Sequence, residues 1–410
     1  MKHSTTTSTA DGLNRRDALL LTVLASAVSL AGCGGGGGAG NGASGAGAVA
    51  GVSSGGTGSF STGPISGFGS IIVGGIRFDD SKASSIVDID DGDRDLRNQL
   101  KLGMLVRVKG TPKNGINADA ETIEVRSELL GPVESIDTNN QQLKVLGQTV
   151  NVTATTFFED GLAGLASLAL NDIVEVHGFV DPLNNVITAT RIERELLSNV
   201  KAFKLQGTIS AFDGAARTFK IGALAISFAT PIDLPGGLVL ANGLLVRLQL
   251  AVTLLTGTRK ALKIRLVEAE IAERDEAEIE GTITAFTSTN KFGVNGQPVD
   301  ASGAAVPSGL KLGDRVEVDG SLVKGILVAR QVKLESENDT LKFELHGKVS
   351  SLNASAKTLV LREVTVDFST AEFSNGFPAS LIVGANIEVK GTTVASTAGS
   401  IVKATRISFE

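Results

Sequence analysis

The stretch Leu170-Asn171-Asp172-Ile173-Val174-Glu175-Val176-His177-Gly178 decides how this chain is read. Val174 and Val176 alternate with Glu175 and His177. A period of two places successive side chains on opposite faces of a β-strand. The same phrase returns as Leu102-Gly103-Met104-Leu105-Val106-Arg107-Val108-Lys109-Gly110, as Leu312-Gly313-Asp314-Arg315-Val316-Glu317-Val318-Asp319-Gly320, and as Val383-Gly384-Ala385-Asn386-Ile387-Glu388-Val389-Lys390-Gly391. A degenerate form, Gly243-Leu244-Leu245-Val246-Arg247-Leu248, lacks the closing glycine. Each copy therefore holds a strand with one apolar face directed to a core and one wet face.

Two further anchors flank this one. Upstream, a glycine opens an alternating run at Gly63, Gly131, Gly207, Gly281 and Gly347, at spacings of 68, 76, 74 and 66 residues. Downstream, the unit closes on phrases such as Ala189-Thr190-Arg191-Ile192 and Ala404-Thr405-Arg406-Ile407. Self-similarity on this scale marks a repeated structural unit. The copies span residues 61–128, 129–195, 200–273, 276–337 and 342–410. Two short alternating runs follow each opening glycine, and a longer segment then precedes the central phrase. That segment can hold a short helix, as at Asp95 to Leu102 or Leu162 to Leu170.

Three strands, a helical connection and two strands is the order of an OB-like five-stranded barrel. A six-stranded barrel or a small sandwich competes with it. The fold expected is all-β, a tandem array of five small OB-like β-barrel domains behind a disordered glycine-rich tether. Each unit carries its own alternating core, so the copies are expected as beads in series and not as a solenoid. Stacked end to end they would reach about 130 Å, from the size scaling of compact domains.

Composition narrows the function. The 410 residues are 42% hydrophobic and 20% charged, with a formal net charge of -6. There are 17 phenylalanines but no tryptophan or tyrosine, and only three histidines and one cysteine. An acidic chain without aromatic platforms does not suit nucleic acid, which wants a basic groove and stacking rings. One cysteine excludes a disulfide framework.

The N-terminus reads as an address. Arg15 and Arg16 precede an uncharged run of 13 residues, Ala18 to Leu30, where a membrane-spanning helix needs about 20. A basic start, a short apolar stretch and then small residues make a secretory signal over residues 1–32. Residues 33–60 are glycine-rich and uncharged, a composition that does not fold. The dinucleotide-like glycines at 35, 37 and 40 and the elbow-like Gly51-Val52-Ser53-Ser54-Gly55 fall inside this tether, away from the strand-to-helix turn that their chemistry needs.

Leu30-Ala31-Gly32-Cys33 resembles the lipobox of bacterial lipoproteins. The resemblance implies cleavage before Cys33 and acylation of its thiol and new amino group. A stray free thiol is the alternative. Asn14-Arg15-Arg16-Asp17-Ala18-Leu19-Leu20 also resembles a twin-arginine signal, with Ala18 in place of the usual bulky residue. The lipobox, the tether, Gly67-Phe68-Gly69-Ser70-Ile71-Ile72-Val73-Gly74-Gly75-Ile76-Arg77-Phe78 and the repeated anchors together resemble a family of bacterial lipoproteins. Its members carry tandem copies of a small β domain of unknown function. The resemblance implies an envelope location, with Gly34 after the cysteine favouring the outer membrane. It carries over no catalytic residues.

The run Asp88, Asp90, Asp91, Gly92, Asp93 and Asp95 is the best candidate for chemistry. Alternate carboxylates around a glycine could bind calcium. Against this, an EF-hand frame from Asp88 puts Gly92 and Gln99 where ligands belong, and the plainer reading is a solvated loop. His177 and His346 read as surface slots. The acidic stretch Glu268 to Glu280 reads as cover for a strand edge. The function expected is that of a membrane-anchored, non-enzymatic envelope lipoprotein, a scaffold, spacer or protein-binding rod with an envelope protein as partner. A ligand- or calcium-binding protein headed by the first repeat is the alternative.

Overall fold

The computed structural model describes residues 60–410 apart from 91, 93–94, 115–116, 160–161, 182–184, 230–238, 256, 267–273, 296, 324–325, 336–341, 363 and 395–400. The expected secretory signal, Cys33 and residues 33–59 of the expected tether lie outside the described residues; Phe60, expected in the tether, instead opens the first strand and is buried.

The strand assignments follow the alternation. In the second copy, Leu129–Asp137, Gln142–Val145 and Gln148–Asn151 form an antiparallel meander. Ile173–Asp181 pairs antiparallel with both Leu129–Asp137 and Val186–Glu195, and Val186–Glu195 runs parallel to Gln148–Asn151. Val174, Val176 and Ile192 are fully buried on the inner face. Each such side chain contributes roughly 1.5–3 kcal/mol by leaving water.

The expected helices are absent from the described residues. Leu165–Ser167 makes a single 3-10 turn, and residues 97–99 only a turn.

Two repeated sequence marks acquire physical reasons. The residue three places before Val106, Val174, Val246, Val316 and Ile387 of the central strands turns the chain with positive φ: Gly103 at 80°, Gly243 at 87°, Gly313 at 91° and Gly384 at 89°. The second copy has Asn171 there at 69°. Asparagine enters this left-handed region more readily than other side chains. The closing glycine sits at a bulge, where the register shifts at Gly110, Gly178, Gly320 and Gly391. A Cβ at Gly178 would run into the carbonyl oxygen of Thr188 on the paired strand.

The expectation of separate OB-like barrels in series is overturned. The all-β chain is arranged as a β-solenoid of about eight turns, not as tandem barrels. Strand pairing runs across the copies and joins the described strands into two continuous sheets, of 17 and 11 strands. Phe60–Phe68 of the first copy lies parallel to Arg274–Ser288 of the fourth, with Ser61 opposite Glu278. It also lies parallel to Lys342–Asn353 of the fifth, with Phe68 opposite Leu345. Leu129 and Leu130 of the second copy pair with Leu205 and Lys204 of the third.

The interiors merge as well. One apolar cluster joins the first and fifth copies, a second joins the second and third, and the fourth copy gathers Phe60 of the first into its own. The physical reason is that strand edges carry unpaired N–H and C=O groups, which another strand can satisfy. Alternation within a strand says nothing about what lies along its edge.

Candidate functional site

The predicted aspartates lead to a buried polar seam. The strand Ser85–Asp88 carries Asp88 to its end, and the chain then turns through Asp90. Both side chains point inward. Lys204 of the third copy donates from Nζ to Asp88 Oδ2 at 2.6 Å. Arg247, on the degenerate central strand of that copy, donates from Nε to Asp90 Oδ1 at 2.8 Å and from one terminal nitrogen to Oδ2 at 2.7 Å. All four side chains are buried.

Burial opposes ionisation of Asp88, yet Lys204 overrides it and holds the carboxyl below its ordinary value. Burial likewise opposes charge on Lys204, while Glu175 and Asp88 outweigh it and raise the ammonium. Arg247 is also raised, by Asp90 against its own burial. The carboxylates proposed for calcium thus already face two cations from another copy. Asp95 is exposed and accepts the backbone amide of Arg97. Asp91 and Asp93 lie outside the described residues.

The second copy adds a further layer. Glu175 reaches toward Lys204 at 3.7 Å. His177 is not a surface slot: it is 1% exposed and packs under the first copy, its Nδ1 2.8 Å from the carbonyl of Arg126. Glu193 receives Arg191 at 2.8 Å. Burial pushes the Glu193 carboxyl up, but His177 and Arg191 draw it down to about 2. Glu278, in the stretch expected to cover a solvated edge, is fully buried.

None of these partners was legible one by one. Lys204 and Arg247 occupy outward slots of the repeat, and only the third copy fills those slots with cations that meet Asp88 and Asp90.

A cleft of about 430 Å³ opens between the second and fourth copies. The second copy lines it with Asn151, Thr188 and Phe179, and the fourth with Asp314, Arg315 and Glu335. The guanidinium of Arg315 lies over the Phe179 ring, 4.3 Å from its centroid. Such a cation–π contact contributes roughly 0.5–2 kcal/mol. Arg315 also bonds to Glu280. Behind this rim, burial first, and then the carboxylates of Glu280, Asp319 and Glu335, push Glu317 up to about 7 despite Lys333 at 3.7 Å. Hydroxyls, amides and both signs of charge meet here, an arrangement suited to polar recognition.

Residues 131–193, 280–333 and 346–408 match a domain of unknown function (DUF5666). The chain carries three tandem DUF5666 copies. They coincide with the second, fourth and fifth repeats, so the cleft is bounded by two DUF5666 copies. The His177 layer belongs to the first of these, and the Lys204–Asp88 and Arg247–Asp90 pairs bridge stretches outside them. No curated protein matches the chain.

Proposed function

We propose that this protein is a lipid-anchored, non-enzymatic component of the bacterial cell envelope that offers a rigid all-β body as a scaffold and binding surface for another envelope protein. One observation carries the reading. The charged side chains brought together inside the molecule are used to fasten copies to one another, with Lys204 on Asp88 and Arg247 on Asp90. Buried pairs of this kind favour one arrangement of the copies over looser ones. Rigid presentation lowers the ordering cost of binding. The cleft between the second and fourth copies is where we place recognition, because its rim combines polar groups from two copies around Phe179.

The anchor part of the proposal rests on Leu30-Ala31-Gly32-Cys33. Acyl chains contribute about 0.8 kcal/mol per buried methylene. Cys33→Ser should move the protein from the membrane pellet to the soluble fraction and abolish palmitate incorporation. A variant that still sediments with membrane removes the anchor. For recognition, a photo-crosslinking residue at Thr188 in the anchored protein should capture a discrete envelope protein. A probe that labels nothing there, while an identical probe elsewhere does, removes the cleft as the binding place.

A further inference from the structure

The seam between the first and second copies holds a group of side chains that the scaffold reading does not use. Glu175 and His177 stand two apart on Ile173–Asp181 and share its outer face. In the adjacent strand Val186–Glu195, Glu193 lies directly opposite Glu175. Like charges directly opposite in a ladder are destabilising unless something positive sits between them. Arg191 answers part of this by holding Glu193 Oε1 at 2.8 Å. Lys204 answers another part from 3.7 Å. The remaining oxygen, Oε2, faces His177 Nε2.

The state of that ring is set by its other nitrogen. Nδ1 lies 2.8 Å from the Arg126 carbonyl, which can only accept, so Nδ1 carries the proton. The Leu105 amide approaches the same nitrogen at 3.4 Å, too distant to compete. With a second proton the ring is the cation that draws Glu193 down; without it Nε2 presents a lone pair, so a proton and a metal ion compete for this nitrogen. It is buried and has no hydrogen-bond partner. Glu193 Oε2 is 3.8 Å away, beyond hydrogen-bond range.

A lone pair aimed at a carboxylate oxygen across such a gap fits an ion between them. Two ligands at about 2.0–2.2 Å from a tetrahedral centre stand roughly 3.4 Å apart. One ligand atom each from Glu175, His177 and Glu193 lies within 4.8 Å of the others. A backbone carbonyl on the far nitrogen is the support that orients a metal-binding histidine. Glu175 and Glu193 keep a little exposure, 17% and 13% of their side chains, which leaves an entrance.

We propose that Glu175, His177 and Glu193 bind a divalent transition-metal ion of the zinc class at this seam. One imidazole and two carboxylates form a borderline ligand set that suits zinc better than calcium, which takes oxygen donors alone. The ion offsets the facing glutamates and ties the two paired strands beneath the first copy. The cluster Glu344, His346 and Glu388 has the same residue types. There, however, Glu344 and Glu410 already occupy both ring nitrogens, at 2.7 and 2.6 Å.

The test is calorimetric titration of chelator-treated full-length protein with zinc chloride, alongside thermal melts with and without the ion. The parent should bind a zinc equivalent that raises its melting temperature. His177→Gln should remove that equivalent, and His346→Gln should leave it in place. Should His177→Gln fail to fold, Glu193→Gln is expected to weaken the same equivalent by about tenfold or more. Zinc failing to bind the parent, or binding unaltered in His177→Gln or Glu193→Gln, overturns the proposal. So does an equivalent lost in His346→Gln alone.

Discussion

Arg247 in the third copy grips Asp90 in the first through two parallel bonds of 2.8 and 2.7 Å, both side chains buried. Bidentate pairing of this kind is directional as well as strong. Forming it costs the desolvation of two charges, so its net worth is modest, whereas removing Asp90 takes the bidentate partner from a buried guanidinium and leaves it the Ser127 carbonyl, Gln206 Oε1 and the more distant Glu128. Asp90→Ala should destabilise the fold by about 3–5 kcal/mol. Replacing both residues by apolar ones should recover most of that loss. Urea midpoints of the two variants check both statements, and equal loss in each would show that the guanidinium is satisfied elsewhere.

Glu317 makes stability depend on pH near neutrality. Its folded value of about 7 lies above the ordinary 4.5. Between these values the folded state holds a proton that the unfolded chain has released. Stability therefore falls as pH rises from about 4.5 to about 7 and levels off above. The contribution is about 3 kcal/mol as an order of magnitude. Glu317→Gln should flatten this part of a plot of melting temperature against pH. An unchanged slope would place the titration on another group.

Phe157 of the second copy meets Phe343 of the fifth edge to face, with centroids 4.9 Å apart, and both rings are buried. Phe157→Ala should cost about 3–5 kcal/mol. Because the contact spans copies, the loss should appear as a shift of one cooperative melting transition. A separate early transition, with the remainder unmoved, would mean that the copies unfold independently.

Gly103 and Gly384 turn the chain at equivalent places with nearly equal φ, yet their surroundings differ. A Cβ at Gly103 would stand 2.5 Å from the Thr190 carbonyl and 2.9 Å from the Phe157 ring, whereas at Gly384 it would meet open space. Backbone strain is common to both, so Gly103→Ala should cost more than Gly384→Ala by about 1–3 kcal/mol. Equal melting temperatures for the two variants would contradict the tight seam.

The sequence shows the inner half of this architecture. Val174, Val176, Val316 and Val318 were legible as core from alternation alone, and all four are fully buried. The glycine or asparagine repeated before the central strand is visible as a pattern, but its role as a positive-φ turn comes only from the structure. What alternation does not encode is the fate of the opposite face. Arg107 and His177 follow the outward pattern, and both are buried because another copy covers them. Pairing along strand edges is equally silent, since backbone groups look alike in every sequence; hence separate barrels were expected where continuous sheets formed. The aspartate run is conspicuous for its carboxylates, but its partners Lys204 and Arg247 lie more than a hundred positions downstream. Only folding shows that they meet.

The alignment of Phe68 with Leu345 has a bearing on biogenesis. A ribosome adds roughly 5–20 residues per second, so the first strand, paired early with Leu105–Asn114 of its own copy, waits on the order of ten seconds to a minute for this second partner. During that interval the leading segment offers an open edge and part of an unfinished interior. Newly made chains should accordingly depend on a chaperone that holds them until the last copy arrives.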